Sequence, residues 1–174
     1  MKKLRWMLVT ILFFGSGLTG FFVVTANSNS GEFLSITHTG AKAKIFESYE
    51  DVYIGKQLRW TGNEMPIIKD IQIVKENGVS LSSASEMIQV DLFIDPSHQT
   101  DLFYQSSPEV HQVIEDYVGV EGFKLTEPQM TLVFKVNLEK PNYQFDLEEL
   151  KIIYEIDRRE FEQRLPLRNF ILHH

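Results

Sequence analysis

The chain has 174 residues, no cysteine and a formal net charge of −7 at pH 7. The lack of cysteine excludes disulfides and a lipid on a processed N-terminal cysteine, so packing alone must stabilise the fold. Without the first 26 residues, the chain keeps 14 of its 17 Lys and Arg and all 24 Asp and Glu, a formal charge of −10. This acidity argues against nucleic acid as a partner.

The first 26 residues have the pattern of an export signal. Three cations within the first five residues precede an uncharged run of 21 residues from Trp6 to Ala26. A run of that length can cross a hydrocarbon core of about 30 Å. Val24 and Ala26 are also small enough to suit a signal peptidase. We predict a single-pass anchor that spans the membrane with residues 6–26, and cleavage after Ala26, which would release the protein, as the alternative.

The rest of the chain is predicted to lie outside the cytoplasm as one domain. Residues 27–31 form a short polar linker, and residues 32–174 are enough for a single domain with its own core. The exported part has neither cysteine nor an Asn-x-Ser/Thr glycan acceptor, which favours a bacterial cell envelope over an animal secretory pathway.

Alternation of apolar and polar residues dominates this domain and predicts strands with one buried face. The alternation is clearest in three stretches: Met87–Asp95, Met130–Leu138 and Leu150–Asp157. Weaker patterns predict six more strands: Phe33–Thr37, Ala43–Glu47, Gln57–Thr61, Ile67–Val74, Phe123–Leu125 and Phe161–Leu165. Asn77 and Gly78 predict a tight turn, because both tolerate positive φ, and residues 79–81 can return as a short partner strand.

Two segments have helical signals instead. Ser107 fits an N-cap, Pro108 fits the first helical position, and Gly119 fits the stop of a helix between them. A short helical turn is also predicted at Phe145–Leu150, where Asp146 and Glu149 have the spacing of a capping box. Many short strands with one helix predict an all-β fold of two antiparallel sheets, an immunoglobulin-like sandwich without the Cys and Trp pair of true immunoglobulin domains.

Acidic residues are concentrated in the middle of the domain, where no Lys or Arg occurs between Lys75 and Lys124. Asp95 and Asp101 enclose a polar loop whose carboxylate and hydroxyl oxygens are the ligands that Ca²⁺ prefers. The spacing matches no established calcium loop, so a solvated acidic loop is the competing interpretation. No residue pattern predicts any other cofactor.

Arginines cluster near the C-terminus. Alternating charges from Asp157 to Arg164 are typical of an edge strand protected against aggregation. Arginine and aromatic residues are also enriched in interfaces, so the same region is a candidate partner-binding surface. The candidate residues are Arg158, Arg159, Arg164, Arg168 and Phe170.

The sequence contains no nucleophile elbow, no activated cysteine and no Ser-x-x-Lys. We therefore expect a non-enzymatic binding or accessory domain, tethered at the outer face of a bacterial membrane, with a protein or cell-wall partner. Two alternatives remain open. One is a secreted hydrolase that cleaves cell-wall glycans with a pair of carboxylates, and the other is an adhesion-type module stabilised by a divalent cation.

Overall fold

The computed structural model describes residues 31–37, 40–48, 51–82, 85–104, 108–140, 143, 146–167 and 171–172. The chain divides into two units, Met1–Gly31 and Glu32–His174, and the fold below is that of the second. The predicted anchor lies outside the described residues. Within the described part of the chain, no helix is long and apolar enough to cross a membrane.

The described domain contains eleven strands and two short helices. In chain order they are β1 (Phe33–Ser35), β2 (Ala41–Lys42), α1 (Ala43–Phe46), β3 (Val52–Trp60), β4 (Ile67–Lys75), β5 (Ile88–Asp95), β6 (Leu102–Phe103), α2 (Pro108–Glu115), β7 (Val118–Gly119), β8 (Gln129–Leu138), β9 (Leu147–Ile156), β10 (Arg159–Pro166) and β11 (Ile171–Leu172).

Two antiparallel sheets form the framework. The larger sheet has the order β1-β3-β8-β5-β7, with β6 also paired to β3, and the smaller sheet has the order β10-β9-β4. Strands β2 and β11 form a separate parallel pair. The domain is therefore mostly β and consistent with a β-sandwich.

Alternate apolar residues of both sheets form one shared core. Met130, Leu132, Phe134 and Val136 of β8 are almost fully buried. The alternate residues Leu150, Ile152 and Tyr154 of β9, in the smaller sheet, belong to the same apolar cluster. Burial of this kind stabilises a fold by roughly 25 cal/mol per Å² of apolar surface. The alternation that predicts these strands also identifies their buried faces.

The side chain of Gln163 connects the two sheets through hydrogen bonds with the backbone of Phe33. Gln163 of β10 accepts a hydrogen bond from the Phe33 amide nitrogen at 2.7 Å and donates one from Nε2 to the Phe33 carbonyl oxygen at 2.8 Å. Strand β1 pairs through its backbone with β3 of the larger sheet. The first strand is therefore hydrogen-bonded to both sheets.

Most of the predicted elements are confirmed. The three clearest strands occur as β5, β8 and β9, the helix occurs as α2, and Gly78 has a φ of 78° in the predicted turn. The predicted return strand is present as a single bridge between Val74 and Ser80. Ser107, the predicted N-cap, lies outside the described residues.

Three local predictions are wrong. Residues 43–46, Ala-Lys-Ile-Phe, form helix α1, whereas a strand was predicted at Ala43–Glu47. Strand β9 begins at Leu147 and includes residues 147–150 of the predicted helical turn, because these residues pair with β4. Phe145 lies outside the described residues. Between Phe123 and Leu125 there is only an isolated bridge, from Lys124 to Ile67.

A polar segment, Pro96–Asp101, crosses the outer face of the larger sheet, and we call it the strap. The Gly55 amide of β3 donates to the Asp101 carbonyl oxygen at 2.8 Å. A Cβ at Gly55 would lie 2.0 Å from the Thr100 carbonyl oxygen, so only glycine permits this close approach. Thr131 is buried beneath the strap, where its hydroxyl lies 2.9 Å from Nδ1 of His98.

Candidate binding cleft

A cleft of about 590 Å³ opens at one end of the sandwich. It is bordered by the β3–β4 loop, by the β9–β10 turn and by the segment that precedes β8. Its lining is Glu64, Met65, Ile67, Lys124, Leu125, Thr126, Glu155, Ile156 and Asp157. Pockets that bind small molecules or side chains have volumes of about 300 to 1,000 Å³ and combine apolar walls with a few polar groups. Both the size and the lining of this cleft fit that description.

The β3–β4 loop is held in place by Trp60, the last residue of β3. The indole ring is buried and packs against Phe33 and Tyr154, with ring centroids 4.9 and 5.3 Å away. Its Nε1 donates a hydrogen bond to the Glu64 carbonyl oxygen at 2.8 Å. A Cβ at Gly62 would lie 2.7 Å from the indole, so a glycine lets the loop fold closely over the ring. This fixes the backbone that carries the Glu64 carboxylate.

The β9–β10 turn brings the second carboxylate to the cleft. Ile156 pairs directly with Arg159, so Asp157 and Arg158 form a two-residue hairpin turn. Their φ angles are 51° and 61°. Positive φ at both central residues matches the type I′ turn, which usually contains Asn-Gly, and each non-glycine residue there costs on the order of 1 kcal/mol. The turn places the Asp157 side chain next to Glu64.

The carboxylates of Glu64 and Asp157 repel each other. The negative charge of Asp157, together with a hydrogen bond between the two carboxyl groups, raises the pKa of Glu64. Nearby, Glu155 forms an ion pair of 2.9 Å with Lys69, and Lys124 is exposed at the rim. Three carboxylates therefore line the cleft with one ammonium group, and a positively charged ligand would relieve the repulsion between two of them.

The Glu64 and Asp157 pair also bears on the hydrolase alternative. Glycosidases separate their two carboxyl groups by about 5 Å or more, so that a sugar or a water molecule fits between them. Glu64 and Asp157 lie close enough for the charge of Asp157 to raise the pKa of Glu64. A cation bound between the two carboxylates would relieve their repulsion.

Asp95, one of the two predicted calcium ligands, is fully buried under the strap. Its carboxylate accepts five hydrogen bonds of 2.6 to 2.9 Å, from the backbone and hydroxyl groups of Ser97 and Thr100 and from the Gln99 amide. Burial alone would raise the pKa of Asp95, but these hydrogen bonds outweigh it and hold the pKa below its usual range. The carboxylate thus serves as the centre that organises the strap.

A tyrosine extends this network. The Thr100 hydroxyl, which donates to Asp95, is 2.6 Å from the Tyr117 hydroxyl. Burial raises the pKa of Tyr117 to about 12. Asp101, the second predicted ligand, is exposed on the strap. Among the described residues, no group of three His, Cys, Asp or Glu side chains could hold a metal ion, and calcium binding by Asp95 and Asp101 stays a prediction.

The predicted arginine surface is divided between two places. Arg158 and Arg159 are exposed at the β9–β10 turn, next to the cleft. Arg164 lies farther along β10, an edge strand, where it pairs with Glu149 at 3.2 Å and Glu162 at 3.3 Å. Arg168 and Phe170 lie outside the described residues. Partner binding by these arginines stays a prediction.

Sequence reasoning did not identify Glu64 or Asp157 as a pair. The two are separated by most of the domain in sequence, and Asp-Arg is an unusual composition for a type I′ turn. Only the alternation that ends at Ile156 and resumes at Phe161 could have indicated a hairpin between them. No family model, no curated protein and no solved structure matches this chain.

Proposed function

We propose that this protein is a non-enzymatic binding domain, tethered at the outer face of a bacterial membrane, that binds a protein or cell-wall partner through the cleft. The observation that carries the proposal is the cleft itself. It combines a suitable volume, an apolar wall and a carboxylate pair held in place by a buried tryptophan on one side and a tight hairpin on the other. Such preorganisation lowers the entropic cost of binding.

We also propose that the sandwich is of the immunoglobulin type. Immunoglobulin constant-type domains have strands A-B-E-D in one sheet and C-F-G in the other. We letter the first strand and the six long strands in chain order. A to G are then β1, β3, β4, β5, β8, β9 and β10. The two sheets then read A-B-E-D and G-F-C, which supports the assignment. The cleft lies between the B–C and F–G loops, the end at which antibody variable domains bind antigen.

The chemistry of the lining favours a partner that presents a Lys or Arg side chain. The ammonium or guanidinium group would lie between Glu64 and Asp157, and its aliphatic stem would pack on Met65 and Leu125. Charge-assisted hydrogen bonds of this kind are about twice as strong as neutral ones. Arg158 and Arg159 at the rim would add contacts to acidic groups of the same partner.

The experiment is affinity capture of partners from native membranes with the full chain as bait. The double variant Glu64→Gln, Asp157→Asn should weaken capture of a specific partner about tenfold or more, because each lost charged hydrogen bond contributes about 1.5 to 3 kcal/mol. The matched control, Glu86→Gln with Asp116→Asn, removes two exposed carboxylates outside the cleft and should leave capture unchanged. Equal capture by all three proteins would refute binding through the cleft.

The two alternatives have their own tests. Release of soluble sugars from purified cell wall by the protein, lost in the Glu64→Gln variant, would favour a hydrolase. A melting temperature that rises with Ca²⁺ and falls with a chelator would favour a module stabilised by a divalent cation, since a bound ion stabilises only the folded state.

A further inference from the structure

Three residues from three neighbouring segments lie side by side across the floor of the cleft. Ile67, the first residue of β4, forms a bridge with Lys124 on one side and pairs with Glu155 of β9 on the other, both antiparallel. The Leu125 amide donates to the Pro66 carbonyl oxygen at 3.1 Å, which holds the Lys124 segment in this register. Residues directly opposite each other in antiparallel strands project to the same face of a sheet. Lys124 and Glu155 therefore flank Ile67 on one surface, with their Cα atoms about 10 Å apart.

The charges on the two sides of this floor have opposite signs. Glu155 is already paired, because the Lys69 ammonium group lies 2.9 Å from its carboxylate. The negative side of the cleft is therefore the pair of Glu64 and Asp157, whose charges repel each other. Lys124 is exposed on the other side and forms no ion pair with any residue that the structure describes. A cation and an anion of one ligand thus find separate partners in the cleft.

Two further cations lie at the β9–β10 turn beside the cleft. Arg158 and Arg159 are exposed, and neither forms an ion pair within the described part of the chain. With Lys124, they place three positive charges around the two carboxylates that remain unpaired. This arrangement favours a ligand that carries charges of both signs over a simple cation, because the surrounding positive charges attract an anionic group.

We propose that the cleft binds the C-terminal end of a peptide or protein whose last residue is basic, with the side-chain cation between Glu64 and Asp157 and the free α-carboxylate at Lys124. This rests on the proposed function, because it uses the same cleft and the same carboxylate pair, but it does not require the tether. The aliphatic stem of the basic residue crosses Ile67 and packs on Met65. Charge-assisted hydrogen bonds at both ends of the stem fix the orientation of the ligand.

The length of the stem distinguishes this ligand from an aminophospholipid headgroup. A phosphate would suit Lys124 and the two arginines as well as a carboxylate does. In an ethanolamine headgroup, however, only a short ethylene group separates the ammonium group from the phosphate. The two sides of the cleft are separated by Ile67 and by two strand spacings, about 10 Å. The longer stem of a Lys or Arg side chain spans this separation better.

The ligand class is tested with ε-aminocaproate, which carries an ammonium group and a carboxylate at opposite ends of one aliphatic stem, as a C-terminal lysine does. Hexylamine and hexanoate each lack one of the two charges, and phosphoethanolamine carries both on a short stem. Isothermal titration calorimetry of the full chain in a non-ionic detergent measures each affinity. We expect ε-aminocaproate to bind about tenfold more tightly than either single-charge probe, because it forms one more charge-assisted contact. Equal affinity for hexylamine, or higher affinity for phosphoethanolamine, would overturn the proposal.

Variants at each side of the cleft locate the two charges of the ligand. Lys124→Gln should reduce the affinity for ε-aminocaproate to that for hexylamine and leave hexylamine binding unchanged. The matched control, Lys140→Gln, removes an exposed ammonium group outside the cleft and should bind every probe as the native chain does. The double variant Glu64→Gln, Asp157→Asn should weaken binding of both amines about tenfold. A Lys124→Gln variant that still prefers ε-aminocaproate would refute the assignment of the α-carboxylate.

Failure of the chain-end ligand and failure of the proposed function give different results. If hexylamine binds as tightly as ε-aminocaproate and the double variant weakens both, the carboxylate pair binds cations and only the chain-end ligand is refuted. If no probe binds, the chain-end ligand is also refuted. The proposed function falls with it only if the double variant captures the same partners from native membranes as the unmodified chain.

Discussion

Two carboxylate sites in this domain contrast in almost every physical respect. Under the strap, Asp95 is fully buried and accepts five hydrogen bonds, and its pKa is lowered. In the cleft, Glu64 is exposed beside another carboxylate, and its pKa is raised. A buried charge whose hydrogen bonds are all formed stabilises the native state, whereas an unrelieved repulsion at the surface is removed by a ligand. The acidic residues of the domain therefore separate into a structural site under the strap and the proposed binding site in the cleft.

The largest effect should come from Asp95→Ala. The change leaves five donors without their acceptor, two of them from Thr100 under the strap. Each unsatisfied buried group costs about 1 to 3 kcal/mol, so the free energy of unfolding should fall by about 3 to 5 kcal/mol. Urea denaturation measures it, with Asp91→Ala, an exposed residue of the same strand, as a control expected to change little. A loss below about 1 kcal/mol would mean that Asp95 does not organise the strap.

A smaller loss is expected from Gly55→Ala. The new methyl group would lie 2.0 Å from the Thr100 carbonyl oxygen, so the strap must move. Overpacking of this kind costs about 1 to 3 kcal/mol. At Gly119 no atom lies within 4 Å of an added Cβ, and Gly119→Ala should be nearly neutral. Similar melting temperatures for the two variants would show that the strap is not seated on β3.

The pH dependence of Asp95→Asn sharpens the contrast further. Because the folded-state pKa of Asp95 is lowered, its contribution to stability is present above the ordinary pKa of about 3.9 and is lost as pH falls through the folded-state pKa. The wild type should exceed the variant by about 1 to 3 kcal/mol near neutral pH. Denaturation curves along a pH series should show this difference shrink in acid. A difference that stays constant below pH of about 3 would contradict the assignment.

Glu64→Gln should have the smallest effect on stability, and the opposite sign. The folded-state pKa of Glu64 is raised. Its favourable contribution to the stability of the fold is therefore present below the ordinary pKa of about 4.3 and is lost as pH rises through the folded-state pKa. At neutral pH the wild type retains its repulsion with Asp157, so the variant should melt slightly higher. Differential scanning calorimetry should show the two proteins converge in acid. A variant that melts lower at neutral pH would indicate that the pair stabilises the domain.

The sequence predicts the strands better than it predicts their arrangement. Alternation identifies Met130, Leu132 and Phe134 as core residues because side chains in a strand point to opposite faces. Pairing of β8 with β3 and β5 depends on contacts between residues far apart in the chain, which no local pattern encodes. The strand predicted at Ala43–Glu47 is a helix instead, because five residues are too few to separate a strand from one helical turn.

The candidate site was less predictable than the fold. The spacing of Asp95 and Asp101 predicts two possible metal ligands. Spacing does not reveal how many hydrogen-bond donors of the protein itself surround a carboxylate in the folded state. Glu64 and Asp157 carry no motif, and only the meeting of two loops at one end of the sandwich makes them a pair. A site whose residues come from separate loops is difficult to recognise in a single sequence, because only the tertiary structure brings those residues together.

The attachment of β1 to both sheets has a mechanical consequence. If the proposed membrane anchor and a bound partner pulled in different directions, the load would enter the domain at Gly31. The hydrogen bonds of Glu32 with Thr61, the backbone ladder with β3 and the two bonds from Gln163 then share the tension. Because Phe33 is also fully buried, this short strand can leave only if all of these contacts break together. The domain should thus withstand traction at the residues where the proposed tether would begin.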